Sequence, residues 1–166
     1  FGPTLDLYRD PDTLMAARLF SDPPLNSLAL NHDDNDGLRF AGAQQALPAA
    51  VASELLSAVN PAEATSNLTL AVRGHHLRLG SDPSPSSEST ANKTLIEIRG
   101  TVDVTEITGS ESFVHFSFLG RPWVALLDGI HALAGGAEIV LYAQPQDCFL
   151  FNTVTGKRVR KLSGGE

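Results

Sequence analysis

The most regular alternation of hydrophobic and polar residues lies in the C-terminal half of the chain. Val114, Phe116 and Phe118 would share one side of an extended segment, while His115 and Ser117 would face the other side. A period of two is typical of a half-buried β-strand. The segment is therefore predicted to be a strand with one face in a core.

Turn residues divide the stretch from Gly100 to Lys161 into a series of short strands. The breaks fall at Leu119–Pro122, Asp128-Gly129, Gly135-Gly136 and Thr155-Gly156. Short strands at regular spacing, each closed by glycine, favour a small barrel of the oligonucleotide/oligosaccharide-binding (OB) type. We therefore predict a mainly β fold.

Helical periodicity is confined to the first part of the chain. Two short helices are predicted within residues 1–26, the second with Asp12 as its N-cap and with Met15 and Leu19 on one face. A further helix is predicted over 48–59, because Pro48 suits a first turn and the apolar residues after it recur every three to four positions.

The central region predicts further strands and two loops. Runs at 27–30 and 38–41 flank an acidic turn, which lacks the terminal glutamate of a calcium loop and is interpreted as a hairpin turn. Leu68–Val72 is predicted as a strand that continues to Leu79, so that neighbouring His75 and His76 would point to opposite faces. A Ser/Pro-rich loop is expected at 80–93.

Charge and composition exclude several functions. The chain of 166 residues has a formal net charge of −7, which disfavours contact with a phosphate backbone, so no nucleic-acid partner is expected. One cysteine, Cys148, cannot form an internal disulfide, which suits a reducing cytosol. Apolar runs are too short to span a bilayer.

Candidate catalytic and metal-binding motifs are weak. The histidines lack metal-ligand spacing with the cysteine, and no serine lies in a nucleophile elbow. The last residues, 162–166 (LSGGE), resemble the signature sequence of ATP-binding-cassette (ABC) proteins, but the chain contains no Walker A motif. We interpret the match as coincidence in a polar tail and predict neither enzymatic activity nor metal, nucleotide or other cofactor binding.

Six other motifs resemble, in order, those of the MalK-like ATPase subunits of sugar importers. Residues 2–11 (GPTLDLYRDP), 16–20 (AARLF) and 23–26 (PPLN) are similar to the end of that family's nucleotide-binding domain. In the barrel region the similar segments are 72–77 (VRGHHL, family I-R-P-E-H-L), 104–111 (VTEITGSE, family V-x-E-x-x-G-S-E) and 147–156 (DCFLFNTVTG). The chain departs from the family at Pro3-Thr4, which is transposed, at Leu25, which replaces methionine, and at Gly74-His75, which replace Pro-Glu.

The resemblance implies a C-terminal regulatory domain with transport-associated OB (TOBE) repeats. Residues 1–26 would be the tail end of the nucleotide-binding domain or linker helices, 27–161 the regulatory domain, and 162–166 a tail. The ATPase core, with its ATP and Mg²⁺, would lie outside this fragment. The module would be cytoplasmic and held at the inner face of the membrane through the transporter.

The partners implied by the resemblance are a second copy of the domain, the permease subunits, and an inhibitory regulator or small ligand. Candidate dimer or regulatory contacts are the side chains around Gly109, Ser110 and Glu111, together with Trp123 and Phe151. For the two aromatic residues, ordinary core packing is the competing interpretation.

Two other classes of function stay open. A TOBE-type module could bind a small oxyanion, for which Lys93, Arg99 and Arg121 are the candidate cations. An OB nucleic-acid binder would need a basic groove with exposed aromatic residues, which the acidic composition argues against.

Overall fold

The computed structural model describes residues 2–32, 37–60, 62–63, 67–80 and 95–159, without the side chains of residues 2–4. The predicted acidic turn, most of the Ser/Pro-rich loop and the polar tail lie outside these residues. The described chain is mainly β, and its five-stranded sheet is curled into a half-barrel of the OB type, as the strand pattern predicted.

Strands are the commonest regular elements of the described residues. The helices are α1 (Gly2–Arg9), α2 (Leu14–Leu19) and α3 (Ala49–Ser57). The strands are β1 (Asn26–His32), β2 (Leu38–Phe40), β3 (Leu68–Val72), β4 (Arg78–Leu79), β5 (Ile96–Thr108), β6 (Glu111–Phe118), β7 (Arg121–Asp128), β8 (Glu138–Ala143) and β9 (Phe149–Asn152). One sheet has the order β2-β1-β3-β9, and the other has the order β4-β8-β5-β6-β7.

The chain divides into two compact units. The first contains residues 1–22, 27–71 and 149–166, and the second contains residues 23–26 and 72–148. Each unit therefore draws on more than one stretch of the sequence. The predicted boundary at residue 26 refers to a longer parent protein and stays a prediction.

In the first unit, backbone hydrogen bonds join the start of α2 to residues 156–158. The amide of Leu14 donates a hydrogen bond to the carbonyl of Gly156, and the amide of Arg158 donates one to the carbonyl of Asp12. The N-cap of α2 is Thr13 rather than the predicted Asp12, because its hydroxyl accepts a hydrogen bond from the amide of Ala16 at 3.1 Å.

The helix predicted near 48–59 is confirmed as α3. It begins after Pro48, and Val51, Ala52 and Leu55 on one face are buried. The predicted hairpin on either side of the acidic turn is confirmed as well, because Leu30 pairs with Phe40 in an antiparallel ladder.

In the second unit, the alternation predicted for β6 is confirmed. Val114 and Phe116 are fully buried and Phe118 nearly so, whereas His115 and Ser117 are half-buried. At Gly100 on the neighbouring strand, a Cβ atom would lie 2.5 Å from the Phe116 ring, so only glycine leaves room for this packing.

The prediction of one continuous strand from Leu68 to Leu79 is wrong. β3 ends at Val72, and a 3-10 turn over Gly74–His76 precedes β4. The turn lies close against β7: a Cβ atom on Gly74 would approach the carbonyl oxygen of Val124 to 2.9 Å. Because glycine has no side chain, the backbone at Gly74 can approach β7 closely and turn away from the extended conformation.

Candidate functional site

A cluster of cations surrounds the 3-10 turn of the second unit. Arg73, His75, His76 and Arg78, here called the basic turn, are four basic residues within six positions of a chain whose net charge is −7. Arg73 is only 5% exposed, and the ring centroids of the two histidines are 4.1 Å apart. The predicted opposite orientation of the two imidazoles is therefore wrong, because they lie on a turn and not on a strand.

The surroundings of the basic turn keep its imidazoles neutral. Burial lowers the pKa of His75, and the charges of His76 and Arg73 lower it further. Burial also lowers the pKa of His76; the carboxylate of Asp147 opposes this effect, while Arg73 and Arg78 add to it. Asp147 belongs to a second 3-10 turn, Pro145–Asp147.

One ring nitrogen of the basic turn is buried without a hydrogen-bond partner. Among the described residues, no group lies within hydrogen-bonding distance of Nδ1 of His76. Buried polar atoms are nearly always satisfied in folded proteins, so such an atom calls for an explanation. A negatively charged ligand near Arg78 would favour uptake of a solvent proton by the imidazole and would accept a hydrogen bond from it.

None of the three cations that the sequence predicted for an oxyanion site belongs to the basic turn. Lys93 lies outside the described residues. Arg99 is exposed and forms an ion pair with Glu97. Arg121 is exposed at the start of β7. The sequence prediction missed the basic turn because it placed the two histidines on opposite faces of a strand; the density of cations in 73–78 was the available signal.

The predicted contact residues separate into two groups. Gly109, with φ of +66°, and Ser110 form the β5–β6 turn, and Glu111 begins β6. Trp123 is 3% exposed and packs edge-on against Phe118, with 4.8 Å between the ring centroids. Phe151 is fully buried in the first unit. Core packing accounts for both aromatic residues, and a contact role for the turn stays a prediction.

The β5–β6 turn lies at one end of a surface that contains both carboxylates and apolar side chains. Three strands of the curled sheet present it on the side away from the buried residues of β6, and we call it the hairpin face. It consists of Val104, Glu106, Glu111, Phe113, Leu126 and Asp128. Both glutamates of the segment VTEITGSE therefore lie on one side of the sheet.

Other candidate sites are weaker. Within the described ranges, no three His, Cys, Asp or Glu side chains are grouped so that they could hold a metal ion. Burial raises the pKa of Cys148 to about 12, which leaves its thiol protonated and unreactive at neutral pH. No helix in the described part of the chain has the length and apolar character that a membrane span requires.

The second unit thus combines a curled β half-barrel of the OB type with a polar turn and an exposed sheet face. Residues 70–151, just under half of the chain, match the family model of the TOBE domain. The matched segment includes the basic turn and the hairpin face.

One solved structure that the chain matches is that of the cytoplasmic molybdate-binding protein ModG with molybdate bound. The two chains are 13% identical, and the match has a TM-score of 0.45 and covers 75% of this chain and 94% of the ModG chain. No curated protein matches the sequence.

Proposed function

We propose that this chain is a TOBE-type module that binds a small oxyanion at the basic turn. The observation that carries the proposal is the concentration of Arg73, His75, His76 and Arg78 around one short turn of an acidic chain, where an imidazole nitrogen is buried without a described partner. Tetrahedral oxyanions are bound by guanidinium and imidazolium donors.

In this proposal, binding of the anion is coupled to protonation of His76. The imidazoles have lowered pKa values, so they are neutral at pH 7 in the free protein. An anion beside them would offset the repulsion from Arg73 and Arg78 and raise the pKa of His76. Binding would therefore take up a proton, and affinity would rise as the pH falls from 8 to 6.

Other features of the proposed function follow from the same reasoning. The module has no enzymatic activity of its own and needs no cofactor. Its acidic surface does not attract nucleic acid. We place it in the cytoplasm, where one unpaired cysteine is kept reduced.

Isothermal calorimetry with molybdate, sulfate and phosphate tests the proposal. We expect saturable heat from at least one of these anions. Affinity should be lost in the His76→Gln/Arg78→Gln variant and retained in Arg121→Gln, which removes an exposed arginine of the same unit. No heat from any of the anions, or equal affinity in the turn variant, would contradict the proposal.

A second candidate function is the dimer-supporting regulatory domain of a carbohydrate importer's ATPase subunit. The resemblance to MalK-like motifs supports it, and the geometric observation that favours it is the exposure of Gly109 and Ser110 on the β5–β6 turn of the resembling segment. In this role, the module would contact permease subunits and the membrane's inner face only through its parent ATPase.

Self-association measured by sedimentation tests the second candidate. Phe151→Asp would not be informative, because the fully buried ring cannot be replaced by a charge without loss of folding. Ser110→Arg is suitable, since Ser110 is exposed on the β5–β6 turn. A dimer that this variant weakens would support a contact there, and a monomer at all concentrations would argue against it.

A further inference from the structure

We propose that the hairpin face is a docking surface for a cationic polypeptide segment of a partner protein. Arginine or lysine heads of the segment would contact its carboxylates, and the aliphatic stems would lie on its apolar centre. The inference is independent of oxyanion binding, because a face with this charge repels anions.

The strand register places like charges opposite each other on this face. Glu111 of β6 pairs directly with Asp128 of β7. Glu106 of β5 pairs with Phe113, which is two residues from Glu111 on the same side of β6. Like charges that face each other across strands destabilise a sheet. A bound cation would remove this repulsion, so the arrangement favours a positively charged ligand.

The centre of the face is apolar. Phe113 pairs directly with Leu126, and both side chains are half-buried. Val104, on the neighbouring strand, is 52% exposed although it is β-branched and apolar. An arginine or lysine side chain has both parts that this surface requires: a hydrocarbon stem that covers apolar groups and a charged head that reaches carboxylates. An arginine head can also stack on the Phe113 ring.

The chain supplies little positive charge of its own near this face. Between residues 103 and 137, the only lysine or arginine is Arg121. Arg121 pairs with Phe118 at the opposite end of the β6–β7 hairpin from Glu111 and Asp128. His115 contacts Glu106 at 3.3 Å, which leaves Glu111 and Asp128 for an external cation.

A titration followed by NMR tests the proposal. The probe is a synthetic peptide of repeated Gly-Arg-Leu units, and the matched probe has glutamate in place of arginine. We expect the arginine peptide to shift the amide resonances of Val104, Glu106, Glu111, Phe113 and Leu126, and the glutamate peptide to shift none of them.

Two triple variants that change the net charge equally distinguish a specific docking surface from general electrostatic attraction of the arginine peptide to the acidic protein. Glu106→Gln/Glu111→Gln/Asp128→Asn should weaken binding of the arginine peptide by about tenfold or more, because it removes the cation's partners. Asp6→Asn/Asp22→Asn/Glu54→Gln removes exposed carboxylates of the other unit and should leave affinity within about twofold.

Three results would overturn the proposal: equal weakening by both triple variants, shifts spread evenly over the protein, or no shifts at the hairpin face. Correct folding of the variants is checked by their thermal unfolding. The Glu111→Gln variant should unfold at a higher temperature than the unsubstituted protein, because the substitution relieves the repulsion from Asp128.

Discussion

At the scale of single residues, Asn26 shows how one side chain completes a sheet edge. β7 is the outermost strand of its sheet. The side-chain amide of Asn26 donates to the carbonyl of Val124 at 2.8 Å, and its oxygen accepts from the amide of Val124 at 2.8 Å. The carboxamide thus takes the place of a neighbouring peptide group and protects the edge from pairing with another strand.

Replacing Asn26 should destabilise the fold. Asn26→Ala leaves the Val124 amide and carbonyl without these bonds in a buried position, since Asn26 is 2% exposed. We expect a loss of about 1–3 kcal/mol in the free energy of unfolding, measured by urea denaturation. Asn31→Ala, on the exposed part of β1, should change it by less than about 0.5 kcal/mol. Equal effects of the two substitutions would contradict the role given to Asn26.

Cys148 should resist thiol reagents in the folded protein. Its pKa of about 12 follows from burial and from the nearby carboxylate of Asp147. At pH 8 almost none of the thiol is ionised, and the thiolate is the reactive form. Labelling by a disulfide reagent should therefore be slow in buffer and fast in denaturant. Rapid labelling of the native protein would show that the thiol is not buried.

At the scale of elements, the β6–β7 turn contains a strained leucine. Leu119 has φ of +49° and Gly120 has φ of +76°, as the two central positions of a type I′ hairpin turn require. Glycine and asparagine adopt this conformation readily, whereas leucine does so at a cost.

Leu119→Asn should therefore stabilise the hairpin. We expect a gain of about 1 kcal/mol in the free energy of unfolding, because the leucine is already 41% exposed and loses little packing. Gly120→Ala, which places a side chain at positive φ, should be destabilising. Thermal unfolding of both variants measures the effects, and a less stable Leu119→Asn protein would indicate that the leucine has a packing role.

Elements with a clear period were predictable from the sequence, and those shaped by close contacts were not. The strand around Phe116 and the helix after Pro48 follow from side-chain spacing alone. The 3-10 turn at Gly74 was not predicted, although the apolar residues change from even positions (68, 70 and 72) to odd positions (77 and 79) across it. The close approach of Gly74 to Val124 shows why the strand ends there. The proximity of the two histidines depends on that break, so the sequence signal for the basic turn was limited to the density of cations in residues 73–78.

A similar turn recurs later in the chain. Arg73 precedes the first 3-10 turn with φ −75° and ψ 147°, and Gln144 precedes the second with φ −84° and ψ 136°. Each turn is closed by a hydrogen bond from the residue after it, Leu77 or Cys148, to the carbonyl of its first residue. The second turn contains the proline that the first one lacks, and its Asp147 is the carboxylate that acts on His76.

At the scale of the whole molecule, the histidines of the basic turn make stability depend on pH. Their pKa values are lowered in the folded state, so the unfolded chain binds more protons between the folded pKa and about 6.5. Stability is therefore fully present above about pH 6.5 and falls as the pH drops through the folded pKa. Urea denaturation from pH 8 to 5 measures this loss.

The pH dependence has a direct control. The His75→Gln/His76→Gln variant should lose less stability on acidification than the parent chain, because no proton is taken up at the turn. His32→Gln, at the exposed end of β1, should keep the acid sensitivity of the parent. If the stability of the double variant depends on pH as that of the unsubstituted protein does, the histidines of the basic turn are not the cause of the acid sensitivity.

For the molecule as a whole, the strand pattern predicted the mainly β OB-type fold, which is confirmed, and the motifs predicted a TOBE-type domain, which the family match over residues 70–151 supports. The sequence did not predict the two compact units, because each unit combines segments that are distant in the sequence. It predicted Glu111 as a contact residue, which stays a prediction, and it did not indicate that Asp128 lies beside Glu111, because the register across β6 and β7 is a property of the folded sheet.

The measurement that tests the central claim most directly is an NMR titration of the His76 imidazole with and without saturating molybdate. Without the anion, we predict a pKa below the ordinary value of 6.5, because of burial and the neighbouring arginines. With the anion, the pKa of His76 should rise. A His76 pKa that is the same with molybdate, sulfate or phosphate as without them would contradict oxyanion binding at the basic turn.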